Sequence, residues 1–180
     1  MGRFKLMLPW GDRTVVSQVV ATLEAAGLAE IVVVTGHRAA EVEAALTGSS
    51  ARCVHNPDYA SGEMFSSIQA GLRALADEPE AVLLCLGDQP QMQVDTVRQV
   101  LTMGAATGWG QIVIPSYQMH GGHPILLPAW LWPEILAGEG PLRAVLAAQR
   151  GRIRYLNVDT PSVLADLDTP ADYSAAHETG

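Results

Sequence analysis

Residues 81–90 read AVLLCLGDQP, and this stretch decides the fold. Ala81 to Leu86 is a short, unbroken apolar run, which is the pattern of a strand buried on both faces. Gly87 allows a sharp turn, and Asp88 follows it at once. Open α/β sheets bind their ligands beyond the carboxyl ends of central parallel strands. Because a hydrophobic core has no use for an unpaired carboxylate, Asp88 is predicted to lie where the chemistry takes place.

The segments around this strand alternate between helical and extended patterns. Residues 14–26 carry apolar side chains at helical spacing, and Gly27 after them is a natural helix stop. The alternation predicts one α/β domain over residues 1–180, with a mostly parallel sheet and helices on both faces. Helices are predicted over 14–26, 39–46, 63–75, 94–106, 129–137, 141–149 and from Pro170, and further strands over 30–36, 51–57, 111–117, 124–127, 152–158 and 163–168.

The amino-acid composition and net charge argue against several classes of protein function. The 180 residues are 48% hydrophobic and 17% charged, which is typical of a globular domain rather than a disordered one. The net charge of −8 and the lack of a basic run argue against a nucleic-acid partner, and no apolar run is long enough to span a membrane. Cys53 and Cys85 fall in predicted strands without paired spacing, so we expect inert thiols and a cytoplasmic protein.

Six segments occur in an order that is informative as a set. They are MGRFKLMLPWG (1–11), VVVTGH (32–37), VHNPDYASGEMFSSIQAGL (54–72), GDQP (87–90), GGHPILL (121–127) and ADLDTPADY (165–173). Each motif alone is weakly specific, but the ordered set covers nearly the whole chain. The chain resembles the molybdopterin nucleotidyltransferases, and most of all their molybdenum cofactor cytidylyltransferase branch. The resemblance implies a Rossmann-like fold of the nucleotide-diphospho-sugar transferase type, and transfer of CMP from CTP to a molybdopterin-type cofactor with release of pyrophosphate.

The resemblance also implies a Mg²⁺ site at Asp88, where the ion would bridge the phosphates of the nucleoside triphosphate. Asp168 would complete this site. Asp166 lies two residues away in a segment predicted to be extended, so both carboxylates would point to one face. Either could be the ligand, and Asp168 is preferred because it directly precedes Thr169-Pro170. Helix capping is the alternative role for both aspartates, since Pro170 suits the first position of a helix.

The first residues resemble the end of the family's nucleotide-binding loop. Lys5 would bind the triphosphate and stabilise the charge of the departing pyrophosphate, so Lys5 and Asp88 are the implied catalytic residues. Gly2 and Arg3 would add to the same phosphate site, although the family pattern leaves the position of Arg3 free. The alternative is a basic terminus without a function. Oxygen ligands and phosphates favour Mg²⁺ over zinc.

Recognition of the base would fall to VVVTGH, through Thr35 and His37, and to the start of the 63–75 helix. Ser66 and Ser67 could donate hydrogen bonds there, and the alternative is an ordinary polar first turn. A histidine without a function is the alternative for His37. The resemblance places His123 in the acceptor pocket, whereas the GGHP segment taken alone indicates a hairpin turn.

The family's fold begins with a strand and a glycine-rich loop that precede the methionine of the first motif. We therefore expect this chain to lack that strand and most of that loop, to be less stable than an extended form and to bind nucleotide weakly. One competing hypothesis is a non-catalytic nucleotide-binding protein, or a chaperone that brings the molybdenum cofactor to a molybdoenzyme partner. Another is a nucleotidyltransferase for a different base or acceptor. A receiver domain and a Rossmann dehydrogenase fit less well, because an acidic cluster and G-x-G-x-x-G are absent from the sequence.

Overall fold

A computed structural model describes residues 4–61, 63–75, 79–167 and 169–178, and helices and strands alternate along these ranges. None of the helices in them is long and apolar enough to cross a membrane. The helices are α1 (Val15–Ala26), α2 (Ala39–Ala45), α3 (Glu63–Ala74), α4 (Val94–Ala106), α5 (Trp132–Ala137), α6 (Leu142–Ala148) and α7 (Pro170–Glu178). The strands are β1 (Pro9–Trp10), β2 (Arg13–Thr14), β3 (Val32–Thr35), β4 (Arg52–His55), β5 (Ala81–Leu84), β6 (Ile112–Tyr117), β7 (His120–Gly121), β8 (Ile125–Pro128) and β9 (Ile153–Asn157).

Helix α1 shows how the local sequence sets the boundaries of an element. The Thr14 hydroxyl accepts a hydrogen bond from the Ser17 amide at 3.3 Å, and the Ser17 hydroxyl accepts one from the Thr14 amide at 2.9 Å. This reciprocal capping box satisfies two backbone donors that would otherwise have no partner in the helix. Gly27 ends the helix in the left-handed conformation, with φ 91°. Both ends of α1 therefore lie where the sequence predicts them.

The described strands form mixed rather than mostly parallel sheets. Strands β3 and β4 pair in parallel, with Val32 opposite Arg52 and Thr35 opposite His55. Strand β8 runs antiparallel to both β5 and β6, whereas β9 is parallel to β6. The α/β class is confirmed. The expectation of a central parallel strand before Asp88 is wrong for the described pairs, because the pairing neighbour of β5 is the antiparallel β8.

Two apolar layers enclose β5 and fix the direction of the loop that follows it. Val82 and Leu84 pack against the cluster formed by α3, α5, α6, β6 and β8. Leu83 and Cys85 pack against the cluster formed by α1, α2 and α4, which also covers β3 and β4. This alternation follows the two-residue period of a strand. Both faces of β5 therefore have apolar contacts, but its residues are only partly buried rather than buried as predicted. The chain thus leaves the core after β5, and Asp88 follows where the two apolar layers meet.

The segment predicted as a strand over 163–168 has another conformation. Residues Pro161–Leu164 form a short 3₁₀ helix, and residues 165–167 have no regular structure. Pro161 occupies the first turn, and the Thr160 hydroxyl accepts a hydrogen bond from the Ser162 amide at 3.2 Å. These capping interactions favour a turn over an extended strand. The argument that Asp166 and Asp168 share one face of a strand therefore fails.

Candidate functional site

An ion pair joins the first described residues to the loop after β5. The ammonium group of Lys5 pairs with the carboxylate of Asp88, whose side chain is only 16% exposed, while that of Lys5 is 35% exposed. Lys5 belongs to a single 3₁₀ turn, Lys5–Met7, and the neighbouring Leu6 packs close to Gly87. The structure therefore brings together the two residues that the sequence predicts as catalytic, although they lie far apart along the chain.

The same 3₁₀ turn reaches the carboxyl end of β3. The rings of Phe4 and His37 meet edge to face with centroids 5.6 Å apart, and the guanidinium of Arg38 lies 5.1 Å from the Phe4 centroid. Since Lys5 contacts Asp88 and Phe4 contacts His37, the carboxyl ends of β3 and β5 lie at one edge of the fold. Thr35 lies deeper, because its side chain is buried and its hydroxyl donates to the Val54 carbonyl at 3.4 Å.

The loop between β4 and α3 continues this edge. Asn56 is 2% exposed, and its side-chain amide donates to the hydroxyl oxygens of Ser66 at 2.9 Å and Ser67 at 3.1 Å. Tyr59 from the same loop covers Gly36, where a Cβ would lie 2.4 Å from the Tyr59 Cβ. The structure thus fixes both predicted serines through Asn56. The sequence analysis missed that residue, and its signal was the Asn56-Pro57 turn.

A further contact between distant segments involves Gly122 and His123. The His123 amide donates to the Val163 carbonyl at 2.9 Å, and a Cβ on Gly122 would lie 2.0 Å from the same carbonyl oxygen. Only glycine permits this close approach. Burial lowers the pKa of His123, although the charges of Asp166 and Asp88 act in the opposite direction. His123 is therefore a partly buried imidazole on which the charges of Asp166 and Asp88 act.

The segment after Val163 also contacts the Asp88 loop directly. The Leu167 amide donates to the Asp88 carbonyl at 3.3 Å, and the Gln89 side-chain amide donates to Asp166 Oδ1 at 2.5 Å. Asp166 therefore binds Gln89, which the sequence analysis did not identify. Gly2, Arg3 and Asp168, which are also predicted site residues, lie outside the described residues.

A divalent cation is compatible with the Asp88 carboxylate. No group of three or more His, Cys, Asp or Glu side chains in the described ranges is arranged as a metal-binding cluster. Mg²⁺ does not need one, since it is usually held by one or two carboxylates together with substrate phosphates and waters. Asp88 offers hard oxygen atoms at a partly exposed position beside a cation. The described residues therefore suit a metal that arrives with a phosphate-bearing ligand.

Comparison with known sequences gives a consistent family. Residues 1–154 match the MobA-like NTP transferase domain. The chain is 28% identical over 182 residues to the molybdenum cofactor cytidylyltransferase of Escherichia coli K12, and the alignment covers 99% of this chain and 89% of that protein. It is 30% identical over 175 residues to the nicotine blue oxidoreductase of Paenarthrobacter nicotinovorans, with 92% of this chain and 83% of that protein covered.

Solved structures share the architecture of this chain. The crystal structure of Rv0371c from Mycobacterium tuberculosis H37Rv matches with a TM-score of 0.83 and 27% identity, covering 99% of this chain and 90% of that one. A crystal structure of Rv0371c in complex with manganese matches with a TM-score of 0.78 and 28% identity, covering 98% and 93% of the two chains. The overall architecture is therefore shared along nearly the full length of both chains.

Proposed function

This chain belongs to the MobA-like NTP transferase family, and on that basis we propose that it transfers CMP from CTP to a molybdopterin-type acceptor. The observation that carries the proposal is the ion pair between Lys5 and Asp88 at the shared edge of β3 and β5. An ammonium group and a carboxylate side by side can bind the two components of a metal–triphosphate complex. Lys5 would bind phosphate oxygens, and Asp88 would hold the cation.

The proposed reaction asks little of the side chains beyond positioning and charge neutralisation. A phosphate oxygen of the acceptor attacks the α-phosphorus of CTP. The bond from the α-phosphorus to the oxygen that bridges it to the β-phosphorus breaks, and pyrophosphate leaves. The nucleophile is already an anion, so no general base is required. Lys5 stabilises the negative charge that accumulates on the leaving group.

The metal would be held by Asp88 and, as a proposed second ligand, by Asp168. Leu167, which directly precedes Asp168, donates its amide proton to the Asp88 carbonyl, and this contact supports the pairing of the two positions. When bound, Mg²⁺ supplies Lewis-acid neutralisation of the phosphate charge. Gly2 and Arg3 are proposed to add to the phosphate-binding site.

The base is proposed to lie toward α3. Asn56 donates hydrogen bonds to the hydroxyl oxygens of Ser66 and Ser67, and this contact holds both side chains at the start of the helix. His37 would line the same edge between the base and the phosphates, since its ring contacts Phe4, the neighbour of Lys5. The buried Thr35 would support this edge rather than bind the ligand, because its hydroxyl is used by the Val54 carbonyl.

The acceptor is proposed to bind on the side of His123. Burial lowers the pKa of this imidazole, so at neutral pH it is a neutral group that can donate or accept a hydrogen bond. The electrostatic influence of Asp88 on His123, and the close approach of Gly122 to Val163, support a position on the side of the proposed metal site. His123 would therefore orient the acceptor without adding positive charge.

Thermal unfolding with CTP, GTP and ATP, each with and without Mg²⁺, tests this proposal. A ligand at 100 times its Kd stabilises the folded state by about 2.7 kcal/mol. We expect a Mg²⁺-dependent shift with CTP that is lost in Asp88→Asn. Asp95→Asn is the matched control, because it removes the same charge from an exposed position on α4. No shift with any nucleotide, or the same shift in Asp88→Asn as in the wild type, would contradict the proposal.

A second candidate is an oxidoreductase. It is favoured by the 30% identity to nicotine blue oxidoreductase, since one fold often hosts unrelated reactions. Adding NADH, NADPH, FMN and FAD to the same unfolding experiment separates the two candidates. Stabilisation by one of these cofactors, without Mg²⁺ dependence and without an effect of CTP, would favour the oxidoreductase.

A further inference from the structure

Gln89, the residue after Asp88, is a buried polar side chain that the proposed reaction does not use. It is 1% exposed, and its side-chain nitrogen donates to Asp166 Oδ1 at 2.5 Å and to the Val163 carbonyl at 3.5 Å. The Gln89 side chain thereby ties the Asp88 loop to a segment that is distant in sequence. The first of these contacts is charge-assisted, which makes it stronger than a neutral hydrogen bond.

The acceptor groups around Gln89 determine the orientation of its side-chain amide. Turning the amide over would place its oxygen against the Asp166 carboxylate oxygen, and two acceptors repel each other. In the observed orientation Oε1 is buried and has no partner among the described residues. An unpaired buried carbonyl destabilises the folded state. A methionine would fill the same space without that penalty. The hydrogen bonds that Gln89 donates are therefore the property that distinguishes it from an apolar side chain.

Two further hydrogen bonds act on the same segment. The Leu167 amide donates to the Asp88 carbonyl at 3.3 Å, and the His123 amide donates to the Val163 carbonyl at 2.9 Å. Residues 163–167 have little regular structure of their own, so these contacts, together with the buried side chains of Val163 and Leu167, determine where the segment lies. Gln89 is the side chain that binds both ends of it, at Val163 and at Asp166.

We propose that Gln89 is a positioning residue, which holds residues 163–167 in register beside Asp88, and that the Asp166 carboxylate receives this contact rather than binding the metal. The inference rests on the proposed function, since residues 163–167 lead directly into Asp168, the proposed second metal ligand. Mg²⁺ demands near-ideal ligand geometry, so a shift of this segment would weaken metal binding without removing a ligand.

An amide–carboxylate exchange between the two positions tests the proposal. In Gln89→Glu two carboxylates face each other, whereas in Asp166→Asn the acceptor Oδ1 remains. In the double variant the new amide at position 166 can donate to the new carboxylate at position 89, so the contact re-forms with its polarity reversed. We would measure Mn²⁺ affinity by electron paramagnetic resonance at pH 8 with CTP present, and hydrogen exchange of residues 163–167. Gln99→Glu, on the exposed face of α4, controls for the added charge.

We expect Gln89→Glu to weaken Mn²⁺ binding at least tenfold and to speed exchange over 163–167. Asp166→Asn should stay within about threefold of the wild type, and the double variant should recover most of the loss. Gln89→Met, which keeps the volume but lacks the donors, should behave like Gln89→Glu in exchange even if the charged variant folds poorly. Recovery in the double variant is a result that a purely local packing role would not produce.

Other outcomes would overturn the inference. If Asp166→Asn weakens Mn²⁺ binding as much as Asp166→Ala and the double variant does not recover, Asp166 is a metal ligand. If Gln89→Met and Gln89→Glu match the wild type in exchange and affinity, Gln89 holds nothing in place. If the wild type binds no Mn²⁺ with CTP, the proposed function fails, and exchange over 163–167 still decides whether the Gln89 contact holds the segment.

Discussion

Gly122→Ala is the substitution whose effect follows most directly from the geometry. The added Cβ would lie 2.0 Å from the Val163 carbonyl oxygen and 2.6 Å from its carbon, so the backbone of one segment must move. Such overpacking destabilises the folded state by about 1–3 kcal/mol. Displacing Val163 also weakens the hydrogen bond from the His123 amide, which contributes about 0.5–1.5 kcal/mol. Alanine offsets a part of this loss, about 0.4–1 kcal/mol, through the unfolded state.

The net expectation is a loss of about 0.5–4 kcal/mol, which corresponds to a fall in Tm of roughly 1–16 °C for a chain of this size. Thermal and urea unfolding measure it. Gly140→Ala is the matched control, because a Cβ there meets no atom within 4 Å. That control should be as stable as the wild type or slightly more stable. A Gly122→Ala protein as stable as the wild type would refute the close approach of residues 122 and 163.

Three further substitutions or treatments give separate checks. Lys5→Met should weaken CTP binding about tenfold, because a charge-assisted contact to the triphosphate is lost. CMP binding, measured in the same calorimetry experiment, should be nearly unchanged. Equal losses for both nucleotides would contradict the role of Lys5 in phosphate binding. Thr14→Ala should reduce the free energy of unfolding by about 0.5–2 kcal/mol through loss of the α1 cap, and an unchanged urea midpoint would argue against that cap. Burial raises the pKa of Cys85 to about 12, so iodoacetamide at pH 8 should alkylate it far more slowly than in the unfolded chain, and rapid native labelling would contradict its packing in the core.

Local signals predicted most of the elements well. The observed boundaries of α1, α3 and α4 differ by at most one residue from the predicted ones, because apolar periodicity and a stop such as Gly27 are encoded within each segment. The strand predicted over 163–168 is wrong for residues 163–167, the part that the structure describes. That segment alternates like a strand, but Pro161 and the Thr160 cap favour a 3₁₀ turn, and its backbone contacts come from distant loops.

The sequence analysis proposed residues for the candidate site but not the contacts between them. Lys5 and Asp88 were identified by resemblance, and the structure adds that they are in contact. Gln89 and Asn56 were missed, since their importance lies in partners that no local pattern reveals. Asp166 was a candidate metal ligand or helix cap, and the structure adds that it accepts a hydrogen bond from Gln89.

The sequence by itself determined the α/β class and the position of Asp88 directly after an apolar strand, because these follow from periodicity. Lys5 and Asp88 as candidate residues for a metal–triphosphate complex came from the family resemblance. Only the tertiary structure decided that β8 runs antiparallel to β5 and that two distant segments, Lys5–Met7 and residues 163–167, converge on the Asp88 loop. Strand direction and such convergence depend on contacts between residues far apart in the chain. Those contacts are set by the packing of whole layers and by paired backbone groups, which a single segment does not encode.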